Sequence, residues 1–249
     1  MMSKSLPDLS IVIPAYKEES RIGKTLEGLA VYLKTASMRK YDVEVLVVAA
    51  DSNDNTQPIA LSYKDKFDNL KLLKPGAKVG KGRDVAFGMN RAQGKAIVFM
   101  DADTATPLWH IDQFYQEYIA GQDVIIGTRN LLNHHPDLSR RLLSKMGNIA
   151  FKCAVGIWLE DSQCGFKMFS KEASRLCFSN LSILGWGFDM EVLAIAKANN
   201  LKIKAIRIDD WVSVPNGTFT ESIAVVAIRS FIELAHIARN RFLGKYIKT

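Results

Sequence analysis

Short, mainly apolar runs alternate with segments of helical periodicity along the first half of the chain. This alternation constrains the fold more than any other feature of the sequence. Runs of this kind are typical of strands in a parallel sheet that helices cover on both faces. Strands are predicted over 9–13 (stopped by Pro14), 43–48, 70–73, 97–100 and 124–126, and helices from Ser20 and over 79–91 and 109–120. The rhythm predicts an α/β fold with a mostly parallel sheet and right-handed crossovers.

The second half of the chain has a different character. Helices are predicted over 138–159, 185–199 and 220–242, with one strand over 203–208. The sequence has no internal repeat, low-complexity segment or linker, so residues 1–249 are expected to form a single domain.

Composition narrows the class of protein. The net charge of +7 is compatible with anionic partners, but no stacking or groove-reading motif indicates a nucleic-acid partner. Three cysteines without a C-x-x-C pair argue against a disulfide framework or a zinc site and fit a reducing compartment. We expect neither a signal peptide nor a membrane span, because residues 1–10 lack an apolar core and no run reaches 18 apolar residues.

Two carboxylates, Asp101 and Asp103, directly follow the apolar run at 96–100. Open α/β sheets bind their ligands at the carboxyl ends of the strands. Mg²⁺ or Mn²⁺ commonly takes one or two protein carboxylates and completes its shell with water and phosphate oxygens. The pattern therefore predicts a metal–diphosphate site, although an Asp-x-Asp at a strand end also serves as a turn or helix cap in many proteins.

Five segments in order along the chain resemble the motifs of one family. They are Ile13–Glu18 (P-x-Y-x-E), Asp101–Asp103 (D-A-D), Gly127–Arg129 (G-S-R), Asp161–Lys167 (D-T-Q-C-G-F-K) and Trp186–Glu191 (W-x-F-D-x-E). They are similar to those of the inverting GT-A glycosyltransferases (family 2) of the dolichyl- and polyprenyl-phosphate mannose and glucose synthase group. The fourth is most similar to the dolichyl-phosphate glucosyltransferases. The resemblance implies a GT-A fold with a nucleotide-sugar-binding half over about 8–130 and an acceptor-binding, membrane-facing half over about 131–249.

The implied activity is transfer of a sugar, glucose from UDP-glucose by preference, to a polyprenyl or dolichyl phosphate with inversion. The resemblance further implies Mg²⁺ or Mn²⁺ as cofactor and a peripheral position on the cytoplasmic face of a membrane. An acceptor phosphate is ionised near neutral pH, so the reaction requires no strong general base, and the four histidines match no family motif. Two alternatives stay open: transfer to a saccharide or glycolipid acceptor, and a pseudoenzyme that only binds a nucleotide sugar.

The resemblance also suggests roles for individual residues. Candidates for the nucleotide pocket are Pro14, Ala15, Tyr16, Glu18, Asp51, Lys81, Asp101, Ala102 and Arg129, and Asp101 and Asp103 are the metal candidates. Catalytic candidates are Asp103, Arg140, Asp161, Gln163 and Lys167, and the acceptor phosphate is assigned to Arg140 and Ser144. The basic cluster Arg140, Arg141 and Lys145 precedes an apolar stretch that suits either a membrane interface or a core helix. Of Asp189 and Glu191, which point to different helix faces, one is expected to face the site.

The chain departs from the family pattern in two places. After the second strand, Ala49 and Ala50 replace two acids, so that either Asp51 substitutes for them, base recognition is altered or activity is low. The basic acceptor loop of the mannose synthases has no match in Pro215–Thr220, which favours glucose or another sugar over mannose.

Overall fold

The computed structural model describes residues 6–129, 149, 151–159, 161–212 and 223–247. The strands are β1 (Leu9–Ala15), β2 (Val43–Ala49), β3 (Leu70–Leu73), β4 (Ala96–Met100), β5 (Val124–Arg129), β6 (Phe166–Ser170) and β7 (Ile203–Ile208). The helices are α1 (Ile22–Leu33), α2 (Thr56–Ser62), α3 (Lys81–Met89), α4 (His110–Ile119), α5 (Lys171–Phe178), α6 (Phe188–Ala198) and α7 (Ile223–Phe242), with a short 3₁₀ turn at Lys64–Lys66. Residues 151–155 are also helical.

These strands form a seven-stranded sheet in the order β3-β2-β1-β4-β6-β5-β7. Neighbouring strands run parallel except β6, which lies antiparallel between β4 and β5. The predicted α/β fold with a mostly parallel sheet is thus confirmed, while β6 and α5 were not predicted from the sequence. The insertion of β6 carries the segment 161–167 to the end of β4, next to Asp101.

The core is divided by the sheet into two layers. Val12 and Phe99 belong to one layer, whereas their chain neighbours Ile11 and Val98 belong to the other. Alternation along each strand places successive side chains on opposite faces, so a continuous apolar run fills both layers. All five residues of β4 are buried, which fixes the position of the strand that carries the two candidate metal ligands.

Two details at the start of the chain differ from the predictions. The strand β1 continues through Pro14 to Ala15, because its ladder with β2 extends that far although its ladder with β4 ends at Val12. A proline is tolerated where one side of the strand no longer pairs. Helix α1 begins at Ile22 and has no side-chain cap, so Ser20 does not cap it.

The last helix, α7, packs against the core through Leu234 and Ile237, which are buried. Among the described residues, no helix combines the length and the apolar character needed to cross a bilayer. Of the helix predicted over 138–159, the structure describes residues 149 and 151–159, where Phe151 and Val155 are buried. The basic cluster that precedes this segment lies outside the described residues.

Candidate active site

A cavity opens where the carboxyl ends of β1 and β4 meet the start of α3. Of the residues that the sequence assigned to a nucleotide or a metal, those that line it are Pro14, Ala15, Tyr16, Glu18, Lys81, Asp101, Ala102 and Asp103. These side chains come from three segments far apart in the chain, and the sheet brings them together at its ligand-binding edge. The structure therefore groups most of the predicted nucleotide pocket around the D-A-D segment.

The two acids of this segment leave β4 in different ways. The Asp101 carboxylate lies 2.6 Å from the Lys81 ammonium. Asp103 accepts a hydrogen bond from the Ala105 amide at 3.0 Å, and Thr104 between them adopts a left-handed φ of 55°. Asp103 thus closes a turn, as the alternative interpretation expects, and it still lines the cavity together with Asp101.

Gly165, just before β6, packs against Asp101 and fixes the position of its carboxylate. The Asp101 amide donates to the Gly165 carbonyl at 3.1 Å. A Cβ atom at Gly165 would lie 2.0 Å from Asp101 Oδ2, closer than any side chain tolerates. Only glycine allows this carboxylate its present position, which connects the Asp161–Lys167 motif physically with the D-A-D motif.

Lys81 begins α3 and is mostly buried, with its ammonium 5.1 Å from the centre of the Trp186 ring. Burial alone would lower the pKa of Lys81, but the charges of Asp101 and Asp189 outweigh it and raise the pKa. The neighbouring glycines serve the protein's own packing, because a Cβ at Gly80 would lie 2.2 Å from the Leu184 carbonyl oxygen. The segment before α6 thus packs directly against Gly80, which also lines the cavity.

Three further cations, Arg21, Lys78 and Arg229, line the cavity, and the sequence singled out none of them. Arg21 donates to both carboxylate oxygens of Glu18, at 2.6 and 2.8 Å, and Lys78 lies 4.6 Å from the centre of the Tyr16 ring. Burial raises the pKa of Glu18, and the Arg21 guanidinium opposes that shift. Their sequence signal is weak because basic residues are common on the surface of a chain with this charge.

Arg129 approaches the same carboxylates from the other side. It lines a smaller cavity together with Asp101, Asp103 and Trp211, and its guanidinium lies 5.3 Å from the Trp211 ring centre. Asp161 holds it, with 2.6 Å between Arg129 Nε and Asp161 Oδ2. Burial alone would lower the pKa of Arg129, but the bond to Asp161 outweighs it and the pKa is raised.

Asp161 is itself buried and also accepts from the Gln163 amide at 3.0 Å. Its oxygens therefore hold Arg129 and the turn at the start of the motif. The side chain of Gln163 is exposed on that turn. Asp161 acts on the site through Arg129, which is a less direct role than the sequence suggested.

Lys167 is not where the sequence led us to expect it. We expected its ammonium to contact a sugar or a phosphate, but the side chain is fully buried and bonds to Asp189 and to the Cys164 carbonyl. The reason is β6, which turns Lys167 inward across from Phe99. In this position Lys167 supports the site from behind and does not reach the cavity.

The same pair resolves the choice between Asp189 and Glu191. Asp189 faces Lys167, where burial raises its pKa and the charges of Lys167 and Lys81 oppose the shift. Glu191 points away from the site and accepts from the Ser182 and Ile183 amides and from the Tyr246 hydroxyl. Glu191 therefore ties the end of the chain to α6, and Asp189 is the acid on the side of the site.

Asp51 follows β2 but is exposed and is not among the residues that line either cavity. Its carboxylate lies 3.5 Å from the Gln57 amide nitrogen, and the turn beyond it is closed by Asp54, which bonds to the Thr56 hydroxyl at 2.7 Å. Asp51 thus neither caps that turn nor points to the cavity. The acceptor-phosphate candidates Arg140 and Ser144, and the loop Pro215–Thr220, lie outside the described residues.

Comparison with known proteins agrees with this geometry. Residues 10–178 match the model of the glycosyl transferase family 2. The human dolichyl-phosphate beta-glucosyltransferase is 30% identical over 222 residues, which cover 83% of this chain and 68% of the human protein. A dolichyl-phosphate beta-glucosyltransferase of Trichomonas vaginalis is 28% identical, and the match covers 81% of this chain but only 65% of that relative's length.

Solved structures show the same architecture at low sequence identity. Glucosyl-3-phosphoglycerate synthase from Mycobacterium tuberculosis, in complex with Mn²⁺, UDP-glucose and phosphoglyceric acid, has a TM-score of 0.70 at 16% identity and covers 94% of this chain and 80% of its own. A mannosyltransferase from Pyrobaculum calidifontis, in complex with GDP-mannose and Mn²⁺, has a TM-score of 0.59 at 19% identity and covers 95% of this chain and 70% of its own. The chain therefore belongs to glycosyltransferase family 2 and has the GT-A fold.

Proposed function

We propose that this chain transfers glucose from UDP-glucose to a polyprenyl or dolichyl phosphate, with inversion at the transferred carbon. The observation that supports the proposal most is the pair Asp101 and Asp103 at the end of β4, with Lys81 and Arg129 on opposite sides of it. Relatives named dolichyl-phosphate beta-glucosyltransferase support the same acceptor and sugar. The missing match to the basic loop of the mannose synthases agrees with glucose.

The donor set fits a hard divalent cation, either Mg²⁺ or Mn²⁺. Asp101 and Asp103 offer carboxylate oxygens on a cavity, which is the ligand type and number that these cations commonly take from a protein. When bound, the cation would neutralise charge on the departing nucleoside diphosphate. Two structural neighbours, which share the fold, are described in complex with Mn²⁺ and a nucleotide sugar.

The chain's own cations suit the same task. Lys81, at the N-terminus of α3, is held in its ammonium form. Arg129 carries a planar guanidinium, a group that can bind two phosphate oxygens at once. Asp189 is the buried acid closest in role to a general base, but it is bonded to Lys167. An acceptor that is already ionised needs no such base, and the site agrees with a phosphate as the nucleophile.

We further propose that the protein acts as one domain, with the nucleotide sugar held by its first half and the acceptor by its second. A lipid acceptor agrees with a peripheral position on a membrane, and we propose that this is the cytoplasmic face. The roles of Arg140 and Ser144 at the acceptor phosphate stay predictions, as do the catalytic and nucleotide roles of the remaining candidates.

The test is a transfer assay with purified protein and a panel of nucleotide sugars, acceptors and cations. We expect glucose from UDP-glucose on dolichyl phosphate, dependence on Mg²⁺ or Mn²⁺, and a product of inverted anomeric configuration by NMR. Transfer to a saccharide in preference to the lipid phosphate would contradict the acceptor. Binding of UDP-glucose without turnover would favour the pseudoenzyme, the alternative that the replacement of two acids by Ala49 and Ala50 keeps open.

A further inference from the structure

One wall of the cavity comes from a helix that no motif singled out. Arg229 of α7 lines it together with Trp186 and Gly185. One turn later Glu233 accepts a bond from the Gly187 amide, and a Cβ at Gly187 would lie 2.3 Å from Glu233 Oε2. This close contact fixes α7 against the segment before α6 and holds the backbone of Arg229 at the rim.

Arg229 differs from the other cations of the cavity in where it lies. Arg21 and Lys81 belong to segments next to the carboxyl ends of β1 and β4, where Arg21 pairs with Glu18 and Lys81 with Asp101. Arg229 enters from the last helix, on the side of Trp186. A second phosphate bound on the α7 side of this cavity would lie next to Arg229, and a guanidinium is well suited to bind a phosphate.

An apolar stripe runs along α7 beside Arg229. Val225, Ile228 and Ile232 are spaced by three and four residues, so they share one helix face, and 47%, 62% and 65% of their surface is exposed. Within residues 223–232 the only charged residue is Arg229. Exposed apolar side chains in a contiguous stripe usually mark a surface that another apolar group covers.

We propose that Arg229 binds the phosphate of the acceptor and that the stripe Val225–Ile228–Ile232 receives its polyprenyl chain. The inference rests on the proposed function and deepens it, because it adds a phosphate-binding cation and an apolar surface for the tail to the acceptor candidates that the sequence suggested. A polyprenyl phosphate joins one dianionic head to a long apolar tail, and α7 offers one cation at the cavity rim with an apolar face next to it. Charge and apolar surface are thus arranged in the order in which this ligand carries them.

The test compares two acceptors of different length on four proteins. The variants are Arg229→Gln, the stripe double variant Ile228→Ser/Ile232→Ser, and the control Val31→Ser/Ile119→Ser, which removes two side chains that are each 64% exposed on α1 and α4. Dolichyl phosphate and the short, water-soluble citronellyl phosphate serve as acceptors. Binding of each acceptor and of UDP is measured by calorimetry, beside transfer, and melting temperatures establish that the variants are folded.

We expect the stripe variant to bind dolichyl phosphate about tenfold more weakly, because part of the apolar contact that two isoleucine side chains make with the long tail is lost. It should bind citronellyl phosphate within about twofold of wild type, because the short tail makes little of that contact. Arg229→Gln should weaken both acceptors by about tenfold or more, since a charge-assisted bond to the phosphate is lost. UDP binding should be unchanged in the stripe variant and the control.

Three results would overturn the inference. The first is a stripe variant that binds both acceptors as tightly as wild type does. If wild type transfers glucose to these acceptors, the proposed function is unaffected by that result. The second is a stripe variant whose binding of the short and of the long acceptor is weakened equally. The third comes from sedimentation with vesicles that contain no acceptor: a stripe variant that no longer binds them but keeps its affinity for dolichyl phosphate would assign the stripe to the bilayer. A wild-type protein that binds UDP but neither acceptor would overturn the proposed function itself.

Discussion

The carboxylates in front of the site and those behind it have the same chemistry and opposite surroundings. In front, Asp101 and Asp103 line a cavity at the end of β4. Behind them, Asp161 and Asp189 are buried, and each is bonded to one cation, Arg129 and Lys167 respectively. All four belong to segments that resemble family motifs, so the motif alone does not distinguish an acid that meets a ligand from one that holds the site in shape.

The difference lies in what each carboxylate does with its charge. A buried ion pair that loses one partner leaves an uncompensated charge and costs about 3–5 kcal/mol of stability. A carboxylate that faces a cavity can be replaced with little effect on folding, because water or a ligand solvates it. Substitution of a front acid should therefore lower activity, and substitution of a rear acid should lower stability.

The largest effect is expected for Asp103→Asn. This change removes one carboxylate ligand from the proposed cation site. We expect transfer to fall by about 10³-fold or more, since the cation that would stabilise the negative leaving group is worth several kcal/mol. The melting temperature should stay within about 2 °C of wild type, because no buried charge is left unpaired. Asp112→Asn, on α4, is the matched control. Undiminished transfer by the Asp103 variant would remove this residue from the front group.

Lys167→Met should instead destabilise the fold by about 3–5 kcal/mol in urea denaturation, since it leaves Asp189 buried without its cation. Burial raises the pKa of Asp189 in the folded state, so the protonated acid is favoured there. The folded variant therefore gains from binding a proton, and its stability should fall as pH rises above the usual range of aspartate.

The double variant Lys167→Met/Asp189→Asn serves as the check on that explanation. Removing both charges should restore part of the lost stability and abolish the added pH dependence, because neither member of the pair is left buried without its partner. A single variant whose stability is as independent of pH as wild type would mean that Asp189 finds another partner.

Gly165→Ala should lower activity by an intermediate amount. Gly165 belongs to the segment of the rear acid Asp161 but contacts the front acid Asp101. The added methyl would displace the Asp101 carboxylate, because its Cβ would lie 2.0 Å from Oδ2. We expect transfer and metal-dependent donor binding to fall by about tenfold or more, since displacement of a catalytic group by about 1 Å lowers the rate by up to 10²-fold. Gly28→Ala, where the new Cβ meets only Leu108 at 3.8 Å, is the matched control and should be neutral or stabilising.

The smallest effect is expected for Asp51→Asn. The side chain is exposed and outside the cavity lining, so transfer, melting temperature and the preference for uridine over other nucleoside diphosphates should be unchanged. The measurement is competition binding with a set of nucleoside diphosphates. Loss of uridine preference would restore Asp51 to the base-reading role that its sequence position suggested.

Much of the frame was predictable, because apolar runs fix strands and the end of a buried strand fixes Asp101 and Asp103 at a ligand-binding edge. The direction in which Lys167 points was not predictable, since it depends on β6 lying antiparallel between β4 and β5. The bond between Arg129 and Asp161 joins residues 32 positions apart and has no local pattern. Arg229 escaped notice for the same reason, because only the packing of α7 brings it to the cavity.

The central claim is that the front acids serve the ligand and the rear acids serve the fold. The most direct test is calorimetry of UDP binding with and without Mn²⁺ on Asp103→Asn and Asp189→Asn, combined with their melting temperatures. We predict that Asp103→Asn melts like wild type but loses the Mn²⁺-dependent part of binding. Asp189→Asn should melt at least about 6 °C lower, because Lys167 is left buried without its acid, yet bind UDP with Mn²⁺ within about threefold of wild type when folded. The opposite pattern, with stability lost at Asp103 and metal-dependent binding lost at Asp189, would contradict the account.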